Sequence, residues 1–501
     1  MPRVPSRSGY AACASGWRDL RGMEAGSLIS GDDLGRPVAR NLAVVFTGRA
    51  VMLALQFVAF AIAAAYLEPA LLGVYTFAIA FAALFRLLPA FSFDPVVTRD
   101  LSQRPEDEAT LVPNVAYLRV ALAGVAYAAL AAALVLVGYG ENRAEAALIA
   151  GFVLPAIALD TFRNSLGVRL RLGWTSFADI LEGVVTLVGV ILLAATDAGV
   201  FAFLWLYVGA KFVNGVVLLV CVSRIADFSW RPRLEGWPGL LRGAAPLALA
   251  TVLTALYFRI DMVVLARLKP AADVGQYGAA YKFFDTLLLI PALVVGVFQP
   301  VIARSAVQDP ETLRRRFARA VQLMTVAGLG VAVLGAMTAP RALPALPGFD
   351  RYDGAGDALA LLAVAAGLSF VGTVVQTTLI ATHRQRQLVY VAGAALALNV
   401  VLNATLIPPF SYMGAAAATV ATEVFVVCLS LLAIRSLRLG WPLQDLARSL
   451  AAAGLLAGAL GVTYALPPLA QVAVGAVAYA VAVLLTGAVP RSDLALLLRR
   501  A

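Results

Sequence analysis

Leu71–Phe91 reads LLGVYTFAIAFAALFRLLPAF, an apolar run interrupted by the single charge of Arg86. As a helix it rises roughly 30 Å, the thickness of a bilayer's hydrocarbon core. The rest of the chain is built the same way. The 501 residues are 61% hydrophobic and 14% charged, with a mean hydropathy of +0.86. Soluble domains carry about 25% charged residues. A chain this apolar cannot cover its surface with polar groups, so its solvent is lipid.

Working outward from Leu71–Phe91, apolar runs of roughly 20 residues predict fourteen transmembrane helices. They are Leu42–Leu67, Leu71–Phe91, Val112–Val137, Ala146–Phe162, Phe177–Ala195, Phe201–Val222, Gly243–Ala266, Tyr277–Ile302, Phe317–Thr338, Ala358–Ala381, Leu388–Ile407, Gly414–Ile434, Leu446–Leu466 and Val472–Val489. Pro467-Pro468 marks the turn between the last two.

Loop charge orients them. With the amino terminus inside, 28 of the 39 basic residues fall on the cytoplasmic side. Five fall outside (Arg143, Arg267, Lys269, Arg341, Arg351), and six lie within spans. That asymmetry satisfies the positive-inside rule, and one miscounted span would have inverted it downstream. The expectation is a multi-pass protein of the bacterial cytoplasmic (inner) membrane with both termini in the cytoplasm. The net charge of +10 is accounted for by these loops, so no nucleic-acid partner is implied.

Residues 1–40 contain six arginines and no apolar core of a signal peptide, and read as a disordered cytoplasmic tail. A translation start at Met23 is an alternative reading of residues 1–22. Cys13, Cys221 and Cys428 have no metal-site or disulfide spacing. The lone histidine, His383, sits in a short basic loop and reads as a solvated surface group. One histidine excludes a multi-histidine metal centre, and no cofactor is expected.

An internal repeat divides the spans. Gly73-Val-Tyr75 opens the second span and Gly275-Gln-Tyr277 opens the eighth, 202 residues later; Pro89 and Pro291 share that offset. Pro95-Val-Val-Thr-Arg99 likewise resembles Pro300-Val-Ile-Ala-Arg304. Spans two and eight have the same direction. The chain therefore reads as a six-helix lobe (41–222), a cytoplasmic linker (223–242), a second six-helix lobe (243–436) and two further helices with a tail (437–501).

A charge at the bilayer centre costs roughly 2.5–3.5 kcal/mol on insertion scales, so each embedded one needs a reason. Arg49, Arg86 and Arg119 enter spans one to three from the cytoplasmic side, and Lys211 lies mid-way along span six. Arg119 is near enough to its end to snorkel. Lys211 must pair across helices or face water. The embedded acids of this lobe, Asp160, Asp179 and Glu182, are read near cytoplasmic ends. In the second lobe, Arg259 and Asp261 are two apart and point away from each other unless the helix breaks. Lys282 and Asp285, three apart, can pair on one face, and Glu423 is central in span twelve. Asn399 and Asn403 share a face as interhelical glue or as ligand contacts. An excess of buried cations in the first lobe points to an anionic cargo, a phosphate or diphosphate in a water-filled cavity.

Two stretches carry a family resemblance. Ala245-Pro246-Leu-Ala-Leu with Tyr257-Phe-Arg259-Ile-Asp261-Met-Val-Val-Leu and Val274-Gly275-Gln-Tyr277-Gly-Ala-Ala-Tyr281-Lys282 resembles helices seven and eight of polysaccharide flippases. Leu398-Asn399-Val-Val-Leu-Asn403 through Pro408, with Met413-Gly414-Ala-Ala-Ala-Ala-Thr419, resembles their helices eleven and twelve. These flippases form the polysaccharide-transport branch of the multidrug/oligosaccharidyl-lipid/polysaccharide (MOP) exporter superfamily, which includes Wzx-type O-antigen flippases. The likeness runs from about residue 42 to the end. A departure at Pro408-Pro409-Phe-Ser-Tyr-Met413 alters an outer turn and touches no functional residue.

The resemblance implies two lobes around a central cavity and alternating access. It also implies an undecaprenyl-diphosphate-linked oligosaccharide as cargo, membrane lipid and glycan-assembly proteins such as a polymerase as partners, and a monomer. The expected cargo-facing cations are Arg49, Arg86, Lys211, Arg259 and Lys282. Asp261, Asp285, Glu423, Asn399 and Asn403 are the expected tuning or proton- or sodium-coupling groups. Alternatives are a multidrug antiporter of the same superfamily, whose cationic drugs favour an acidic cavity, and a lipid II flippase. An enzyme such as a polysaccharide polymerase or ligase would carry a larger outer loop than residues 339–357 provide. Asp350, Asp353 and Asp357 in that loop read as solvated charges.

Overall fold

The computed structural model describes residues 31–489, apart from positions 170, 383, 438 and 440–442. The tail up to residue 30 and His383 therefore lie outside the described residues. Every regular element among the described residues is helical. The first lobe holds α1 (Gly31–Tyr66), α2 (Pro69–Ala90), α3 (Phe93–Gln103) and α4 (Glu108–Val137). It continues with α5 (Glu141–Gly151), α6 (Ile157–Asp160), α7 (Phe162–Val168), α8 (Leu172–Ala195) and α9 (Val200–Ser223). The second lobe holds α10 (Trp237–Tyr257), α11 (Ile260–Leu268), α12 (Ala271–Gln308), α13 (Pro310–Ala342), α14 (Asp353–Ala381) and α15 (Gln385–Ile434). The hairpin α16 (Leu443–Val462) and α17 (Pro468–Thr486) follows.

Eleven helical segments among the described residues are long and apolar enough to cross a bilayer. One of them, Arg386–Leu437, has 52 residues, enough for two crossings. Spans seven (α10–α11) and eight (α12) complete the expected fourteen.

Several boundaries differ from the sequence reading, each for a local reason. α1 includes Gly31–Arg40, a stretch inside the segment read as a disordered tail. The fourth span runs from Glu141 to Val168, longer than Ala146–Phe162, and Leu154-Pro155-Ala156 forms a 3-10 turn within it. Proline lacks the amide hydrogen an α-helix needs there. α3 was not foreseen; Phe91 and Ser92, at φ 36° and 50°, turn the chain out of α2 and let it begin. Pro408-Pro409, read as a turn, are helical, and the reversal falls at Ser411, whose φ of 51° interrupts α15. The Ser411 hydroxyl donates to the Asp273 carboxylate, tying the bend to α12. Asp353 and Asp357 belong to the start of α14, not to a loop.

The repeated glycine motifs meet each other. A Cβ on Gly73 would stand 1.9 Å from the Ala271 carbonyl oxygen, and one on Gly275 would stand 1.9 Å from that of Pro69. Lipid offers helices no hydrophobic drive to associate, so close backbone approach at small residues supplies the contact. α2 and α12 thus cross backbone to backbone at one end of the interface between the lobes.

Other bonds reinforce that end. The Tyr352 hydroxyl donates to the carbonyls of Ala64 (3.0 Å) and Leu67 (2.7 Å). Tyr139 donates to Val263 (3.1 Å), Arg267 to Val137 (3.0 Å), and Arg143 to Ala266 and Lys269. At the arginine-rich end, Ser92 Oγ donates to Thr251 Oγ1 (3.2 Å) across the lobes.

Candidate cargo cavity

Below the glycine crossing the lobes part around a cavity of about 340 Å³. Thr76 and Gly278, in contact at the crossing, are part of its lining. Four of the five expected cations line it together: Arg86 from α2, Lys211 from α9, Arg259 from the α10–α11 break and Lys282 from α12. Arg49 does not; it is exposed on α1, outside this lining. Gln56, Tyr75, Thr186 and Tyr207 add polar groups for a hydroxyl-rich ligand.

Pairing sorts the cations. Lys211 Nζ lies 2.6 Å from Glu182 Oε1, and the same carboxylate oxygen accepts from Gln56 Nε2 (3.3 Å). Glu182 had been read as near a helix end. α8 begins at Leu172, five residues ahead of the predicted start, so Glu182 lies mid-helix and is 5% exposed. The earlier start was signalled by Trp174, whose apolar ring fits a span.

In the second lobe, Asp285 pairs with Arg259 (2.9 Å) and not with Lys282, the partner that the i, i+3 spacing allowed. The reason is the chain break at Phe258–Arg259, where Arg259 takes φ −128° and leaves the helix path. Tyr281 fixes the break by donating to the Phe258 carbonyl, and its ring lies 5.1 Å from the Arg259 guanidinium. Lys282 Nζ faces the Phe60 ring at 5.6 Å instead. Among the described residues, Arg86 and Lys282 have no carboxylate within ion-pair distance.

Arg119 neither snorkels nor reaches this cavity. It is 1% exposed and donates to Asp94 (2.8 Å), Thr161 (3.1 Å) and the Ile157 carbonyl (3.3 Å), pinning α3 and α6 to α4. The excess of cations in the first lobe is therefore smaller than the sequence suggested: Arg119 and Lys211 are both balanced, and Arg163 pairs with Asp179 (2.7 Å).

The remaining expected residues form a polar layer inside the second lobe. The break separates Arg259 from Asp261, which is 1% exposed, accepts from the Tyr277 hydroxyl (2.5 Å) and caps the Met262 amide (2.7 Å). Glu423 is 2% exposed; Ser369 Oγ donates to it (2.7 Å) and the Tyr257 hydroxyl lies beside it. Asn399 Nδ2 donates to Thr422 Oγ1 (3.1 Å), and Asn403 Nδ2 to Asn399 Oδ1 (2.9 Å). Asn399 thus joins the two arms of α15, and Asn403 braces Asn399 from one turn further along the same arm.

A family model described as polysaccharide biosynthesis protein matches residues 38–306, more than half of the chain. The chain belongs to that family. A second model, MatE, matches residues 246–405 within the second lobe. No curated protein sequence matches the chain. Among solved structures, the fold resembles the lipid II flippase MurJ in an inward closed conformation (TM-score 0.72, 13% identity, covering 89% of this chain and 98% of that one). It also resembles an inward-facing multidrug resistance MATE family transporter (TM-score 0.60, 15% identity, 79% and 99%). A third likeness is to a MOP superfamily transporter from Pyrococcus furiosus with a binding pocket of reverse polarity (TM-score 0.56, 14% identity, 80% and 96%). At these identities the likeness is one of fold. This family member is a multi-pass helical membrane protein by its apolar helices, and it shares the fold of those flippase and transporter structures.

Proposed function

We propose that this family member is a flippase for an undecaprenyl-diphosphate-linked oligosaccharide, an O-antigen or exopolysaccharide repeat unit. It would move the cargo from the cytoplasmic to the outer leaflet of the bacterial inner membrane. The observation that carries this reading is the pair of cations without carboxylate partners, Arg86 and Lys282, contributed to one cavity by opposite lobes. Charge-assisted hydrogen bonds from both would hold a diphosphate between the lobes, with the glycan against Gln56, Thr186 and the tyrosines. A cationic drug would meet the wrong sign there. The arginine-rich end faces the cytoplasm in this reading, and the glycine crossing closes the outer end, so rocking of the lobes exchanges one closure for the other.

For coupling we propose Asp261 and Glu423, buried carboxylates of the second lobe that would take up a proton or sodium ion. The flippase reading is tested by glycan export in a flippase-deficient strain. Wild type should restore export, and Arg86→Ala, inserted at equal level, should reduce it by at least about tenfold, the scale of one lost charge-assisted bond. Full export by the variant contradicts the assignment.

A further inference from the structure

We propose that Glu182 and Asp285 are built-in counter-ions that set the charge the cavity accepts, matching it to a doubly charged diphosphate diester. This rests on the reading of the cavity as the cargo site. A carboxylate in an anion site weakens binding by repulsion, so two of them need a reason. Stability alone is a weak one: a buried ion pair is replaced by apolar residues of similar volume at little or no cost. Both pairs stand in the cavity wall, and each lobe has built one from different residues: Lys211–Glu182 at 2.6 Å and Arg259–Asp285 at 2.9 Å. Each lobe also presents one cation without a carboxylate partner.

The charge count follows. Four cations and two carboxylates among the described lining residues leave an excess of two positive charges. A diphosphate diester neutralises that excess by bridging Arg86 and Lys282. A singly charged phosphodiester leaves one of them unmet in a confined site. A diphosphate monoester, with a third charge, must disrupt a pair or face Glu182 and Asp285. The carboxylates thereby favour the cargo that still carries its glycan over the bare lipid diphosphate, using charge alone. Clamping Lys211 and Arg259 also limits affinity, so that the cargo can leave.

The test uses the full-length protein in nanodiscs at pH 8, titrated calorimetrically with UDP-glucose as the doubly charged diester and UDP as the monoester of higher charge. Wild type should bind UDP-glucose in preference to UDP. Glu182→Gln and Asp285→Asn, one in each lobe, should each move the ratio of affinities towards UDP by about tenfold, the effect of one charge at close range in a semi-buried site. The double variant Glu182→Gln/Lys211→Gln, which restores the excess of two, should return the ratio towards wild type, an outcome a purely structural pair would not produce. Wild-type binding with the same ratio in all variants overturns the inference alone. Wild-type binding of neither probe overturns the cargo reading and the inference with it.

Discussion

The two lobes equip the cavity alike but differ behind it. In front, each offers one cation without a carboxylate partner (Arg86, Lys282) and one held by a carboxylate (Lys211 by Glu182, Arg259 by Asp285). Behind, the first lobe balances its charges as ion pairs, Arg163 with Asp179 and Arg119 with Asp94. The second lobe instead holds Asp261 with the Tyr277 hydroxyl and Glu423 with the Ser369 hydroxyl, and no cation lies within ion-pair distance of either among the described residues. A carboxylate paired to arginine has its counter-charge in place. One held by hydroxyls is free to take up a cation, which is why we place coupling in the second lobe and treat the first as the fixed side of the machine.

The largest expected effect breaks the likeness in front. Arg86→Ala and Lys282→Ala should each lower flipping of a fluorescent lipid-diphosphate oligosaccharide in proteoliposomes by about ten- to a hundredfold. The double variant should be little worse than either, since a bridge fails when one end is lost. Additive losses would mean that the two cations serve separate contacts.

Next, Gly275→Leu should prise apart the outer closure, where even a Cβ would overlap the Pro69 carbonyl. A cysteine placed at Thr76, in a cysteine-free background, should then react faster with an impermeant thiol reagent added outside. An unchanged rate would show that the crossing is not the seal. The difference behind the cavity is sharpened by Glu423→Gln, which should leave cargo binding within about twofold of wild type and uncouple transport from the imposed ion gradient. Arg119→Ala should cost about 1–3 kcal/mol of stability by removing the bonds that hold Thr161, the Ile157 carbonyl and Asp94 to α4, measured as a lower unfolding midpoint in detergent. The smallest effect is expected from Arg49→Ala, whose loss of transport should fall well short of that of Arg86→Ala.

Much of this was legible in the sequence, and the exceptions have physical causes. Hydropathy set the number of spans because lipid demands a nearly unbroken apolar length. The Gly73 and Gly275 repeat was visible as a pattern, yet its role was not: sequence spacing relates the two motifs, and only packing brings them face to face. Arg86 and Lys282 were found as charges with no cheap place to go. Lys282–Asp285 was misjudged because an i, i+3 rule assumes that no competitor is nearer, and the break at Phe258–Arg259 delivered one. Arg119 was misjudged because its short distance to the helix end concealed Asp94 on the unforeseen α3. Glu182 was placed at the rim because a span boundary set five residues late moved it there from mid-helix.

The central claim is that the cavity takes an anionic, lipid-linked cargo, and the sign of the transported charge tests it most directly. Proteoliposomes holding the wild-type protein should be assayed side by side with a labelled lipid-diphosphate oligosaccharide and with a lipophilic cationic dye. Flipping of the first is expected, about ten- to a hundredfold slower in the Arg86→Ala/Lys282→Ala variant, with no transport of the second. Transport of the cationic dye with no movement of the lipid-diphosphate oligosaccharide would contradict it.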